Sequence, residues 1–123
     1  MKLKLETQLV TMNEIVQMCF SKYSNRYAAT KKREQMFLKR EILNQIEQKN
    51  YFKGYLVTCK YEWHTSGKFD LGNLSVGEKF IADSINELGL WDDDRYIMKI
   101  THELVHDTQN YVIVTIRKNG KHE

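Results

Sequence analysis

Apolar and polar residues alternate from Lys53 to Trp63, and this pattern constrains the fold more than any other feature of the chain. The apolar members of the series are Tyr55, Val57, Cys59, Tyr61 and Trp63. A period of two places them on one face of an extended strand, because successive side chains of a strand point to opposite faces. The pattern therefore predicts a well-defined β-strand that contributes one face to the core.

The residues before this strand carry weaker signals. Residues 2–9 alternate in the same way and predict a first strand, and Asn13 can cap a short helical turn. The polar, basic segment from Ser21 to Thr30 is predicted to be an exposed loop. Residues 31–49 are predicted to form a long amphipathic helix. Its apolar positions are Leu38, Ile42 and Ile46, with Phe37 and Leu43 beside them.

A second helix is predicted after the central strand. Ser75 and Glu78 form a capping-box pattern, and Gly89 lies where a glycine commonly ends a helix. Between them, apolar residues recur at helical spacing. These are Ile81, Ile85 and Leu88.

Two further strands are predicted near the end of the chain. Alternation begins at Tyr96, β-branched residues are frequent from Tyr111 to Ile116, and residues 107–110 form the turn between. The predicted order is β-α-β-α-β-β, an α/β (α+β) fold with two main helices on a mixed β-sheet that closes with a hairpin. Because the chain has no proline, repeat or Gly/Ser linker, we expect residues 1–123 to form a single domain.

Length and composition exclude several classes of protein. With 123 residues, 41% of them hydrophobic, the chain can bury a core without a disulfide or a metal. It contains no apolar run of about 20 residues that could span a bilayer, and its first residues are charged where a signal peptide is apolar. We therefore expect a cytoplasmic protein. Cys19 and Cys59 are isolated in the sequence and are predicted to be small core residues.

The charges are unevenly distributed along the chain. Residues 1–68 contain 13 basic and 6 acidic side chains, a net charge of +7, whereas residues 69–123 contain 6 basic and 10 acidic ones, a net charge of −4. A basic half could contact phosphates and an acidic half could hold cations. Alternatively, the two halves interleave in the fold and the asymmetry has no functional meaning.

Residues 102–106, HELVH, match the HExxH motif of zinc peptidases. Such a site needs a helix, because only helical spacing brings both histidines to one ion. Here the motif continues the alternation that starts at Tyr96, and four residues of a strand span about 13 Å. We therefore expect His102 and His106 to be structural or surface residues, with a small zinc peptidase as the less favoured alternative.

Acidic residues precede and follow the second predicted helix. Asp70 lies before it, and Asp92, Asp93 and Asp94 lie after it. Carboxylates collected from both ends of one element can hold a magnesium ion that activates water and neutralises charge on a phosphate. The alternative is that Asp70 is a turn residue and the other three belong to a solvated loop.

The segment Lys68–Ile97, KFDLGNLSVGEKFIADSINELGLWDDDRYI, resembles the signature of the RusA-like Holliday junction resolvases, endodeoxyribonucleases of phages and prophages. That family has a D-x-D-N-[IL] segment, then K-F-x-x-D-x-[IL] on a helix, then a glycine and an acidic residue or pair. The matching residues are Asp70, Asn73, Leu74, Lys79, Phe80, Asp83, Ile85, Gly89 and Asp94. Met12, Asn13 and Glu14 also resemble the family's L-N-[DE] segment.

The resemblance implies a magnesium-dependent enzyme, with Mn²⁺ as a possible substitute, that cuts four-way DNA junctions as a homodimer in a bacterium or in the bacterial host of a phage. It assigns metal binding to Asp70 and Asp94, with Asp93 as a neighbour, and charge stabilisation to Lys79. Gly72 is a departure, because the family has an aspartate there. Either Asp93 or Glu78 compensates, or the protein binds junctions and cuts them poorly.

Lysine and arginine side chains cluster around Tyr23 and Tyr27 in the sequence, and such a cluster is suited to binding phosphates and unstacked bases. The alternative interpretation is that these residues form the solvated start of a helix. Lys79 has an alternative to the charge-stabilising role that the resemblance implies, namely a surface ion pair with Asp83 one turn away. The residues expected to contact DNA are Asn13, Lys22, Arg26, Lys31, Lys32, Lys68 and Asn73.

Overall fold

The computed structural model describes residues 1–6 and 25–122, and the side chains of residues 25–27 are not among the described parts. The elements are β1 (Lys2–Leu5), α1 (Asn25–Gln45), β2 (Tyr55–Thr65), the one-turn helix α2 (Leu71–Leu74), α3 (Glu78–Leu88), β3 (Ile97–His106) and β4 (Tyr111–Lys121). Short 3₁₀ turns cover Ser75–Gly77 and Asp94–Tyr96. The predicted α+β class, with a mixed sheet and two main helices, is confirmed. The predicted helical turn after Asn13 and the residue Cys19 lie outside the described residues.

The four strands form one sheet in the order β1-β4-β2-β3. β2 pairs with β3 in parallel and with β4 in antiparallel orientation, and β1 pairs with β4 in antiparallel orientation. The predicted hairpin between β3 and β4 is therefore wrong, because β2 lies between them. The helix α3 links β2 to β3 as a crossover, which places these two strands side by side and parallel. β4 then takes the remaining edge of β2.

The core lies between one face of the sheet and the two long helices. Val57, Cys59, Tyr61 and Trp63 of β2 are all buried on this face, as the alternation predicts. Burial also raises the pKa of the Cys59 thiol to about 12, so this cysteine stays a neutral core residue, as expected.

The helix α1 begins earlier than the sequence pattern predicts. Residues 25–30 are helical, so the loop predicted from Ser21 to Thr30 is wrong for this part, where alanine and basic residues favour a helix. Leu38 and Ile42 are buried, but Phe37 is 60% exposed and Leu43 is 40% exposed. The apolar face of α1 is therefore narrower than predicted.

The end of α1 is tied to the first strand. The Gln45 side-chain amide donates to the Lys4 carbonyl at 2.7 Å, and its oxygen accepts from the Lys4 N–H at 2.8 Å. This pair of bonds uses the outer edge of β1 and fixes the position of α1 over the sheet.

The helix α3 is positioned by two glycines. Gly89 ends it with φ +74, the left-handed conformation that the sequence predicts. At the other end, a Cβ on Gly77 would lie 3.2 Å from the Trp63 ring, so a glycine lets the chain pass close to the indole. The predicted capping box is wrong, because the Ser75 hydroxyl donates instead to the Gly72 carbonyl at 3.1 Å. No helix in the described ranges is long and apolar enough to cross a membrane.

Candidate functional site

The acidic turn after α3 is fixed to the body of the protein. Leu90 and Trp91 are buried, and the Leu90 carbonyl accepts from the Phe52 N–H at 2.9 Å. The Asp92 carboxylate accepts from the Gly54 N–H at 2.8 Å and contacts Nε2 of His122 at 2.8 Å. These two contacts lower the pKa of Asp92, so this carboxylate is a structural anion that holds the turn.

Asp93 and Asp94 project from this turn as an adjacent pair of carboxylates. Asp93 accepts from the Arg95 N–H at 3.2 Å and begins the 3₁₀ turn. The interaction between the two carboxyl groups raises the pKa of Asp94 and lowers that of Asp93. Two carboxylates that interact in this way favour either a shared proton or a bound cation.

The first turns of α3 lie in the electrostatic field of this pair. Burial raises the pKa of the Glu78 carboxyl; the Lys79 ammonium opposes that shift, and the Asp94 charge adds to it. In turn, Lys79 and Asp83 act on the pKa of Asp94 in opposite directions. The 3₁₀ turn Asp94–Tyr96 also lies against α3, so the helical and the acidic segments of the sequence motif are neighbours in the fold.

Asp70 stands at the start of α2, where it is exposed. Its carbonyl accepts from the N–H groups of Asn73 at 3.0 Å and Leu74 at 3.2 Å, and its carboxylate makes no capping bond to α2. Within residues 1–6 and 25–122, no three His, Cys, Asp or Glu side chains are grouped so that they could hold a metal ion. The expected ligands Asp70, Asp93 and Asp94 thus do not form a ready-made three-carboxylate group, whereas the last two are adjacent.

This pair fits a magnesium ion in the way that many phosphoryl-transfer sites do. Mg²⁺ keeps several water ligands and is commonly held by one or two carboxylates together with phosphate oxygens of the substrate. The adjacent carboxylates Asp93 and Asp94 supply such a pair, and their mutual repulsion would be relieved by a cation.

Asp83 connects two of the predicted functional lysines. Its carboxylate lies 3.6 Å from Nζ of Lys79, one turn earlier on α3, and 3.2 Å from Nζ of Lys31 on α1. Another ion pair between α1 and α3 joins Lys39 to Glu87. The basic and acidic halves of the sequence therefore interleave, and part of the basic charge of α1 is neutralised within the chain.

The other residues predicted to contact DNA have different outcomes. Asn13 and Lys22 lie outside the described residues, and for Arg26 only the helical backbone is described. Lys32 and Lys68 are exposed. Asn73 is half-buried in α2 and contacts the Asp70 carbonyl through its backbone N–H. The structure leaves Lys32 and Lys68 as accessible cations.

The HExxH residues lie on β3, which confirms the strand prediction. The Trp63 indole N–H donates to Nδ1 of His102 at 3.0 Å. This bond requires that His102 be neutral with its proton on Nε2, and burial lowers the pKa of His102 accordingly. His102 therefore acts as a structural hydrogen-bond acceptor, and His106 lies four positions further along the extended strand.

One polar cluster was not predicted from the sequence. Nδ1 of His64 lies 3.1 Å from the Asp107 carboxylate, which also accepts from the Tyr111 hydroxyl at 2.7 Å. The rings of His64 and Tyr111 stack at 4.3 Å. Only the antiparallel register of β2 and β4 brings these residues together, so no local sequence signal could have identified the cluster.

No family model and no curated protein matches this chain. The family resemblance therefore rests on the motif residues of the sequence alone.

Proposed function

We propose that the protein is a magnesium-dependent, structure-selective endodeoxyribonuclease that resolves four-way DNA junctions in recombination or repair. It would act as a homodimer in the cytoplasm of a bacterium or of a phage's bacterial host. Two symmetric cuts across a junction require two active sites related by a two-fold axis, and a dimer provides them.

The observation that carries this proposal is the meeting of the Asp93–Asp94 pair with the start of α3. The turn that begins at Asp94 lies against α3, although 15 positions separate Lys79 from Asp94 in the sequence. A pair of carboxylates beside an exposed lysine is an arrangement suited to phosphodiester hydrolysis. In such an arrangement the carboxylates would hold the ion, and the ammonium would offset charge on the phosphate.

Each residue has a defined task in this proposal. Asp93 and Asp94 would hold Mg²⁺ or Mn²⁺, and Asp70, which is not grouped with them in the structure, is assigned to the same ion by the family resemblance alone. The ion would supply the nucleophile and neutralise charge. Lys79 offsets the negative charge that develops on the phosphate, and Asp83 orients Lys79 from 3.6 Å away. Lys32 and Lys68 contact the DNA backbone.

A second candidate function is junction binding with impaired cleavage. Gly72 stands where the resembled family has an aspartate, and the described residues include no three-carboxylate group. A site with fewer carboxylates holds magnesium less tightly, so binding could persist after cleavage is lost. The zinc peptidase alternative is disfavoured, because His102 and His106 lie on a strand rather than on a helix.

The test is cleavage of a labelled mobile four-way junction, measured with and without magnesium, alongside linear duplex DNA. The variants are Asp94→Asn and Lys79→Ala, with Glu47→Gln as a matched control on an exposed carboxylate beyond α1. We expect both site variants to reduce cleavage at least about 100-fold while binding of the junction persists. The control should cut like the parent.

Two outcomes separate the candidate functions. Tight, selective junction binding without cleavage at any magnesium or manganese concentration supports the binding protein. Equal affinity for junction and linear duplex, with no cleavage of either, contradicts both.

A further inference from the structure

In the part of the chain that the structure describes, β3 leaves one long edge of the sheet open. It pairs with β2 on one side, and within the described residues no strand lies on its other side. From Lys99 to His106 it follows β2 without interruption, and the single irregularity of this pair lies at Met98. An open edge of this length presents a row of backbone N–H and C=O groups that can bind another strand.

Two apolar side chains make this edge unusual. Met98 is 57% exposed and Ile100 is 44% exposed. Edge strands usually avoid pairing by carrying charges, prolines or bulges along their length. Here the bulge affects only one end, there is no proline, and the charges of Lys99 and Glu103 are opposite in sign. Exposed apolar residues beside unpaired backbone indicate a surface that is covered by a partner.

The sequence of β3 is complementary to itself. In an antiparallel pair of β3 strands around a two-fold axis at Thr101, each residue faces the one equally far from Thr101 in the other copy. Lys99 then faces Glu103 of the partner subunit, and symmetry creates this opposite-charge pair twice. This pairing uses the regular stretch of β3 from Lys99 to Glu103, and the bulge at Met98 lies just outside it.

A register centred on Glu103 explains the edge less well. Shifting the axis to Glu103 would place two like charges directly opposite each other, which is destabilising. Lys99 makes no ion pair among the described residues, so its charge is available to a partner, and Glu103 is paired only with the half-exposed Lys60, at 3.4 Å.

We propose that β3 is the interface with a second copy of this chain, which would join two four-stranded sheets into one eight-stranded sheet. This interface deepens the proposed function, because it locates the homodimer which that function requires. Its formation needs neither DNA nor metal, so it can be tested separately from cleavage.

The test is the dissociation constant of the dimer, measured by sedimentation equilibrium at low salt. The variants are Lys99→Glu, Glu103→Lys and the double exchange of both charges. Each single reversal turns two attractive pairs into two repulsive ones, and we expect the dissociation constant to rise about tenfold or more. The double exchange restores opposite charges and should return the dissociation constant to near the parent value.

The matched control is Lys2→Glu, which reverses an exposed charge on β1, the other edge strand. It should leave the dimer unchanged, and circular dichroism should show that every variant is folded. A monomeric parent, or a dimer weakened by Lys2→Glu but not by Lys99→Glu, would overturn the proposed interface. The protein could also cut junctions in a magnesium-dependent way while neither Lys2→Glu nor Lys99→Glu changes the dissociation constant of the dimer. That result would reject this interface alone and leave the proposed function in place.

Discussion

Gly72 is the residue at which the candidate site departs most from the family it resembles. The structure leaves open space around it, since no atom lies within 4 Å of a Cβ built at this position and its φ is not in the left-handed region. A side chain at position 72 is therefore accommodated without strain. The effect of a carboxylate at position 72 therefore depends on what it binds and not on steric fit.

We expect Gly72→Asp to increase junction cleavage several-fold at low magnesium, because an added carboxylate supplies an oxygen ligand and negative charge for the ion. Asp70→Asn should abolish cleavage in either background and spare DNA binding. The measurement is cleavage rate against magnesium and manganese concentration, with Gly72→Ala as the control for the added Cβ. An unchanged rate and metal requirement in Gly72→Asp would mean that position 72 does not face the ion.

Asp107 makes stability depend on pH at the acid end. Hydrogen bonds from the Tyr111 hydroxyl, the Thr108 N–H and His64 lower the pKa of Asp107 to about 2. Because the pKa is lower in the folded state than in the unfolded state, the stabilisation is complete above about pH 4 and is lost as the pH falls towards 2. We expect Asp107→Asn to lower the melting temperature at pH 7.

The difference in melting temperature between parent and Asp107→Asn should shrink as the pH falls from about 4 to about 2, where the parent carboxylate becomes protonated. Calorimetric scans across this range measure it. Glu47→Gln serves as the control, because Glu47 is an exposed carboxylate. Parallel curves for the parent and Asp107→Asn would show that the cluster with Tyr111 and His64 does not hold the charge of this carboxylate.

At the scale of secondary structure elements, the end of α3 decides where the acidic turn can form. The left-handed Gly89 reverses the chain and lets Leu90 and Trp91 enter the core. The indole N–H of Trp91 also donates to the Asn86 side chain, which ties the turn back to α3. The position of the Asp93–Asp94 pair therefore depends on how this helix ends.

Gly89→Ala should destabilise the protein by about 1 kcal/mol, because a Cβ is disfavoured in the left-handed conformation. Nothing lies within 4 Å of that Cβ, so the loss would come from backbone conformation and not from a clash. Urea unfolding measures it, and Gly72→Ala should cost less, since its backbone has no positive φ. Equal losses in both variants would remove the special role of Gly89.

At the scale of the whole molecule, the net charge of +3 matters less for DNA binding than the positions of the exposed cations. Ion pairs with α3 occupy Lys31 and Lys39, so part of the positive charge of α1 is used inside the chain. Of the residues expected to contact DNA, Lys32 and Lys68 are exposed and available to phosphates. DNA binding should therefore depend on these residues more than on the total charge.

Junction affinity should fall steeply between low and physiological salt, because each phosphate contact releases a counterion. Lys32→Glu with Lys68→Glu should weaken binding to every DNA and reduce the salt slope by about 2. Lys49→Glu, a reversal beyond the end of α1, is the control. The measurement is affinity at several salt concentrations, and a slope unchanged by the double variant would mean that DNA binds elsewhere.

The sequence by itself determined the elements of this protein that depend on local periodicity. The alternation around Cys59, the helix that ends at Gly89 and the strand through His102 all follow from how side chains repeat along a strand or a helix. For the candidate site, the sequence marked Lys79 and the Asp93–Asp94 pair, because these residue types suit one chemistry.

Only the tertiary structure decided how these parts meet. The insertion of β2 between β3 and β4, the sharing of Asp83 by two lysines and the contact of His64 with Asp107 join residues that are distant in sequence. Strand order and side-chain partners depend on which apolar surfaces are buried against each other and which charges are paired across the fold. Local periodicity shows that a surface is apolar but not which other surface it packs against.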